Sequence, residues 1–425
     1  MIKKTKRKKV IHCNLSEIYT SVAFNPDIVV IVHAPKSCSH IIYNAWLNSK
    51  RRMLLNYNGQ VPDVEDNLFI TGMTDKEAIF GGEKLLENCI ANVVQYKNPK
   101  CIIVASGCAA AVIGDDVQSV CDKAEIKYNL PIIFIPGSGF MSDQTKDGSL
   151  LTTSYLYKKF IKNKQPIKDE QSVVVLGLNR LQLLQWELLE LKRIYGYFGY
   201  TNLLLPPSGL SVEELTNISK ASLIGTYAPT VEKLKEYNKF SNMLSKELSI
   251  PTINNRIPLS IKETYEYINT MGVLLGKEDV AESAIINEQN LLNSNLEKYK
   301  SIFQGERCTI ALGHPLRFIQ IDELIFILKS VGFHINGLVL LNDLTDSELN
   351  EYKNYLEKSD CGLQISQENE WDYTEDDDIF ITSIFNEKFK RQFCFRRKRI
   401  GIGGIKVFLE KLSIITTNNR SLGHE

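Results

Sequence analysis

The residues best able to do chemistry are nine cysteines: Cys13, Cys38, Cys89, Cys101, Cys108, Cys121, Cys308, Cys361 and Cys394. No pair has C-x-x-C spacing, which argues against a zinc knuckle or a thioredoxin-type dithiol, and the six histidines form no H-E-x-x-H. Most cysteines in such a chain are small buried hydrophobes. Three stand apart because each sits near a turn or just beyond a strand-like run. Cys13 lies in VIHCNLSE, Cys38 in HAPKSCSH after the run 28–32, and Cys108 in ASGCAAAVIGDD after the run 101–105. If those strands are neighbours, their end loops converge and bring the sulfurs toward one point. Iron–sulfur clusters need thiolates arranged in that way. Three thiolates are one short of the usual four, so another residue or another subunit has to complete the site.

The elements that must position these loops alternate between strand-like and helix-like segments. Residues 28–32 (IVVIV), 101–105 (CIIVA) and 131–136 (PIIFIP) are continuous apolar runs, as expected of strands covered on both faces. Thr74 and Glu77 form a capping box ahead of a helix carrying Leu85, Leu86, Cys89, Ile90, Val93 and Val94, while Asp115 and Asp116 can cap the next helix. The pattern restarts at 172–177 (SVVVLG), continuing through 201–205 and 221–225, and again at 308–313 (CTIALG), continuing through 333–340 and 378–382. An amphipathic helix over 279–303 separates these last two sets. The fold class is therefore α/β: three doubly wound, Rossmann-like domains with parallel sheets around a central cleft, over residues 1–165, 166–290 and 291–425. The acidic stretch 368–378 reads as a solvated loop.

Composition narrows the function classes. Apolar residues are 44% and charged residues 24%, the balance of a globular protein, and 50 basic side chains offset 50 acidic ones. Nothing global therefore points to nucleic acid or an anionic membrane. The longest apolar runs are strand-length, and the basic start MIKKTKRKKV lacks the apolar core of a signal peptide. A cytoplasmic protein without a membrane partner is expected. GVLLGKE at 272–278 has the wrong spacing for a P-loop, so any ATP hydrolysis belongs to another protein.

Three segments resemble the component 1 subunits of nitrogenase and its relatives: HAPKSC at 33–38, MTDKEAIFGGEKLLENCI at 73–90 and ASGCAAAVIGDDVQSV at 105–120. KSCSH is also similar to a loop of the dark-operative protochlorophyllide reductase. The specific matches lie in the first 140 residues or so; beyond them the echoes SVVVLG, RCTIALGHP and RIGIGGIKVFLEKL are weaker. The resemblance implies that Cys13, Cys38 and Cys108 hold a cluster, of 4Fe–4S or P-type, shared with a homologous component 1-like subunit. It also implies electrons arriving from a separate iron-protein ATPase of the component 2 type, and an unidentified small-molecule substrate.

The departures from the family pattern shape the rest of the reading. Where catalytic α subunits place a cysteine ligand of the large cofactor, this chain has ASLIGTYAPT, with Thr226 at or near the position. A hydroxyl is a poor iron ligand beside a thiolate. The family's C-terminal cofactor histidine has no counterpart in RQFCFRRKRIGIGG, where Cys394 is the nearest soft ligand, and His314 reads as a loop residue. No FeMo-type cofactor held by the standard ligands is expected. The resemblance places Gly401 and Gly403 along the cavity, and the run Arg396, Arg397, Lys398 and Arg399 is either a solvated face or a holder of an anion. Two functions follow: an electron-relaying reductase subunit, or a scaffold on which a complex metallocluster is assembled.

Overall fold

The computed structural model describes residues 14–56, 67–137, 147–162, 167–178, 183–228, 231–313, 320–342, 344–359, 362–371, 378–382, 384–387, 389–394 and 400–418. The chain forms two compact units, one from Met1–Gln185 with Gly199–Arg256 and the other from Trp186–Phe198 with Ile257–Glu425.

In the first unit, β1 (Ile28–His33), β2 (Leu68–Ile70), β3 (Cys101–Ser106) and β4 (Ile132–Pro136) pair in the order β2-β1-β3-β4. Side chains alternate across a strand, so each apolar run feeds two cores. Val30, Val32, Ile103 and Ala105 pack with Leu15, Ile18 and Leu151 from the helices Asn14–Val22 and Gly148–Phe160. Val29, Ile31, Ile102 and Val104 pack on the other face with Leu86, Ile90, Val120 and Cys121 from the helices Glu83–Lys97 and Val117–Tyr128. Burying each such aliphatic side chain contributes roughly 1.5–3 kcal/mol, which is why both faces demand apolar residues.

The same unit holds the second sheet, made of β5 (Asp169–Leu176), β6 (Asn202–Leu204), β7 (Ala221–Thr226) and β8 (Thr252–Arg256) in the order β6-β5-β7-β8. Val174, Leu176 and Ile224 join the core of the first sheet. Polar bonds tie the two sheets together: Asn25 Nδ2 donates to Pro207 O at 2.8 Å, and Gly209 N donates to Asn25 Oδ1 at 2.8 Å.

The second unit carries β9 (Arg307–Leu312), β10 (His334–Leu340), β11 (Ile365–Gln367), β12 (Ile379–Thr382) and β13 (Arg391–Cys394) in the order β11-β10-β9-β12-β13. Packed together in this unit are the helices Ile261–Leu275, Glu278–Phe303 and Gly401–Asn418. Every ladder in the three sheets is parallel. The expected α/β class with parallel sheets is present, and the strands β2, β8, β11 and β13 are additions to the sequence reading. One expectation is corrected at its ends. Glu368 and Asp378, which bound the acidic stretch, are buried rather than solvated, and Glu368 accepts a hydrogen bond from Asn342 N at 2.8 Å. Among the described residues no helix is long and apolar enough to cross a membrane.

Candidate metal centre and cofactor positions

The carboxyl ends of β1 and β3 lie side by side, with His33 in register with Ser106. Beyond β1 the chain turns at Ala34 and Pro35 into the helix Lys36–Asn56, whose third residue is Cys38. After β3, Gly107 caps the helix Cys108–Ile113. The ladder continues past the strands, since Gly107 N donates to His33 O at 3.0 Å. A Cβ at Gly107 would stand 2.8 Å from Ala34 Cβ, so glycine is what lets the two cysteine-bearing turns touch. At the end of β4, Gly137 is pressed against Leu15, whose Cδ2 would be 2.5 Å from a Cβ there. Thus the start of the helix Asn14–Val22 reaches the same sheet edge. Cys13, the residue before Asn14, lies outside the described residues.

Beneath these turns is a buried polar network that the sequence reading did not assign. His33 Nε2 lies 2.9 Å from Asp115 Oδ2, and His33 Nδ1 lies 3.1 Å from Thr71 Oγ1. Gly82 N donates to both Asp115 oxygens, at 3.0 and 3.1 Å, and Ala34 N donates to Thr71 Oγ1 at 3.2 Å. A Cβ at Gly82 would be 2.8 Å from both Asp115 Oδ2 and His33 Cε1, so this glycine too is required by close approach. Asp116 caps the helix Val117–Tyr128 by accepting from Ser119 N, whereas Asp115, expected to share that task, turns inward to His33. His33, Gly82 and Asp115 belong to the three segments HAPKSC, FGGEKLL and IGDD, which meet here.

The remaining cysteines differ in environment. Burial pushes the thiol of Cys89 up to about 11 and that of Cys121 up to about 12. Cys101 and Cys308 are fully buried and pushed higher by the same cause. Cys101, Cys121 and Cys308 are core residues as expected, while Cys89 is part-buried and packs against the core from its helix. Cys38 and Cys108 are part-exposed and form no disulfide, so their donor chemistry fits a thiolate-held cluster. Among the described residues no group of three or more His, Cys, Asp or Glu stands close enough to hold a metal alone. Cys394 ends β13, buried, and Cys361 lies outside the described residues.

The other predicted positions lie elsewhere. Thr226 closes β7, fully buried, and its Oγ1 has no hydrogen-bond partner among the described residues. Gly401, with φ of 61°, and Gly403 begin the last helix against the carboxylate of Glu190. Gly403 N donates to Glu190 Oε1 at 2.7 Å, which satisfies a free helix N-terminal amide from within the chain. Arg193 joins Glu190 at 2.6 Å to Glu288, which is fully buried and also accepts from Tyr197 OH at 2.8 Å. Burial opposes the Arg193 charge, but the bonds to Glu190 and Glu288 outweigh it and hold the guanidinium above its ordinary value. His314 and the run 396–399 lie outside the described residues.

Comparison with known proteins sets this geometry in a family. Residues 21–416 match the family described as nitrogenase component 1 type oxidoreductase. The nitrogenase iron-molybdenum cofactor biosynthesis protein NifE of Clostridium pasteurianum is 25% identical over 308 residues, covering 71% of this chain and 62% of that protein. The nitrogenase molybdenum-iron protein alpha chain of Methanosarcina barkeri is 22% identical over 297 residues, covering 69% of this chain and 52% of that one. The matched stretch is therefore less than two thirds of either relative's length. A solved structure described as "Nitrogenase Cp1 at pH 5" shares the fold, with a TM-score of 0.62 at 17% identity over 97% of this chain and 90% of that one. Because the family match runs from residue 21 to residue 416, the chain belongs to the nitrogenase component 1 type oxidoreductases.

Proposed function

We propose that this chain is a scaffold subunit on which a complex iron–sulfur metallocluster is assembled and handed on. The observation that carries this reading is a division of donors. Two part-exposed thiols, Cys38 and Cys108, lie just beyond the ends of neighbouring strands of the first sheet, while Thr226, at or near the position where the family resemblance expects a cofactor cysteine, offers only a hydroxyl at the end of β7. Cys38 and Cys108, joined by Cys13, would hold the cluster, whose bridged irons supply low-potential one-electron chemistry when bound. The chain's own contribution is to present the thiols at a fixed edge and to keep the buried thiols of Cys101, Cys121 and Cys308 protonated. A threonine at residue 226 offers no strong bond to a soft metal, which suits a protein that must release what it holds. The relatives named as cofactor biosynthesis proteins support this reading.

A homologous subunit is the expected partner. Around the two cysteines, large apolar side chains face solvent: Ile41 and Tyr43 on the helix of Cys38, and Val112 on the helix of Cys108. Ile79 and Phe80, 73% and 80% exposed, lie on the helix Asp75–Phe80 that packs beside it. Such a patch beside an incomplete ligand set suits a second chain that covers the site and completes it.

A second reading is kept because relatives named as nitrogenase alpha chains also match. The chain is then a reductase subunit that relays electrons from an iron-protein ATPase of the component 2 type to a small-molecule substrate. Purified complex with its cluster, mixed with a metal-free acceptor of the component 1 type, separates the two. Cluster transfer without substrate turnover supports the scaffold. Reductant- and ATP-dependent turnover with the cluster retained overturns it in favour of the reductase.

A further inference from the structure

The pair His33–Asp115 joins the two segments that carry the cysteines. His33 ends β1 five residues before Cys38. Asp115 follows the helix Cys108–Ile113 and its N donates to Ala110 O at 3.2 Å, closing that helix. Both side chains are removed from solvent, at 0% and 3% exposure. A buried ionisable pair is tolerated when all its polar atoms are bonded, and here they are. With Nε2–H donating to Asp115, Nδ1 accepts from the Thr71 hydroxyl, which itself accepts from Ala34 N. Asp115 takes its remaining bonds from Gly82 N. The imidazole thereby links the turn into Cys38, the end of the Cys108 helix and the start of the helix Glu83–Lys97.

We propose that His33 and Asp115 are positioning residues that fix the turn of Cys38 relative to the helix of Cys108. This rests on the reading that those two thiols hold a cluster. Neither residue is a ligand; both act through the backbone segments they join.

The test uses the full chain co-expressed anaerobically with its partner, and reads iron per chain and the EPR spectrum of the reduced protein. His33→Ala and Asp115→Ala are expected to lower iron occupancy roughly tenfold, as loss of groups that orient ligands does, and to change the g-values of the remaining signal. Asp115→Asn keeps Oδ1 as the acceptor for Gly82 N and, with the imidazole in its other tautomer, an Nδ2–H that donates to Nε2, and is expected to keep the wild-type spectrum. Ile253→Ala, a core change in β8 far from the pair, lowers thermal stability while leaving the spectrum unchanged. Wild-type spectra and iron content in both alanine variants would overturn the inference, as would the same spectral change in Ile253→Ala. Should Cys38→Ser and Cys108→Ser keep an unaltered cluster, the ligand assignment fails instead, and the two failures are told apart.

Discussion

Gly107 and Ala34 stand in direct contact across the ends of β3 and β1, with no room for a methyl group at residue 107. Gly107→Ala would place its Cβ 2.8 Å from Ala34 Cβ and force the cysteine turns apart. Overpacking of this kind costs roughly 1–3 kcal/mol. Denaturant unfolding should show that loss, and the reduced EPR spectrum should shift with it. Unchanged stability would mean that the two turns do not meet as described.

A buried hydroxyl without a partner is a cost that substitution can remove. Thr226→Val keeps the shape of the side chain and discards the Oγ1 that has no partner among the described residues. The variant is expected to gain about 1 kcal/mol, read from the urea midpoint. Destabilisation would show that the hydroxyl is bonded in the working protein.

Glu288→Ala leaves the Arg193 guanidinium with Glu190 as its carboxylate partner, beside the Tyr197 hydroxyl. Breaking a buried pair costs roughly 3–5 kcal/mol, and the lower end applies because Arg193 is 30% exposed. The triple variant Arg193→Met, Glu190→Gln and Glu288→Leu, which leaves no buried charge unpaired and keeps the Oε1 that accepts from Gly403 N, should recover most of the loss in thermal denaturation. Equal losses in the single and triple variants would contradict a charge-pairing account.

The buried thiols set an alkaline limit. Cys121 is held up to about 12 by burial, against 9.0 for an ordinary thiol. Between those values the unfolded chain has lost its proton and the folded one keeps it, so the folded state binds more protons and stability falls as pH rises. Cys121→Ala should flatten the decline in stability between pH 9 and 12 relative to wild type. At pH 8, mass mapping after iodoacetamide on cluster-free protein should find Cys38 and Cys108 alkylated and Cys121 intact. Early alkylation of Cys121 would contradict its burial.

What the sequence made legible follows from coverage. Strands paired on both sides, such as β1, β3, β7 and β9, are continuous apolar runs and read directly. The four additional strands, β2, β8, β11 and β13, are all sheet edges, short or polar; β8 reads TINNR, with two asparagines exposed. Cys38 and Cys108 stand out in the sequence because thiols just beyond strand-like runs carry a signal of their own, and the structure puts both past the ends of neighbouring strands. His33 and Asp115 lie 82 positions apart, and nothing in either segment alone announces that they pair. Gly401 and Gly403 read as a glycine cluster in the sequence, but the close approach of Glu190 that they accommodate comes from more than 200 residues away.

The central claim is that Cys13, Cys38 and Cys108 hold an iron–sulfur cluster. Iron and acid-labile sulfide content, with EPR of the dithionite-reduced protein, tests it most directly on complex purified anaerobically with its partner. The account predicts a cluster signal in wild type that is lost or altered in each of Cys13→Ser, Cys38→Ser and Cys108→Ser, while Cys121→Ser leaves it intact. An iron-free wild type, or an unchanged cluster in the three variants, would contradict the account.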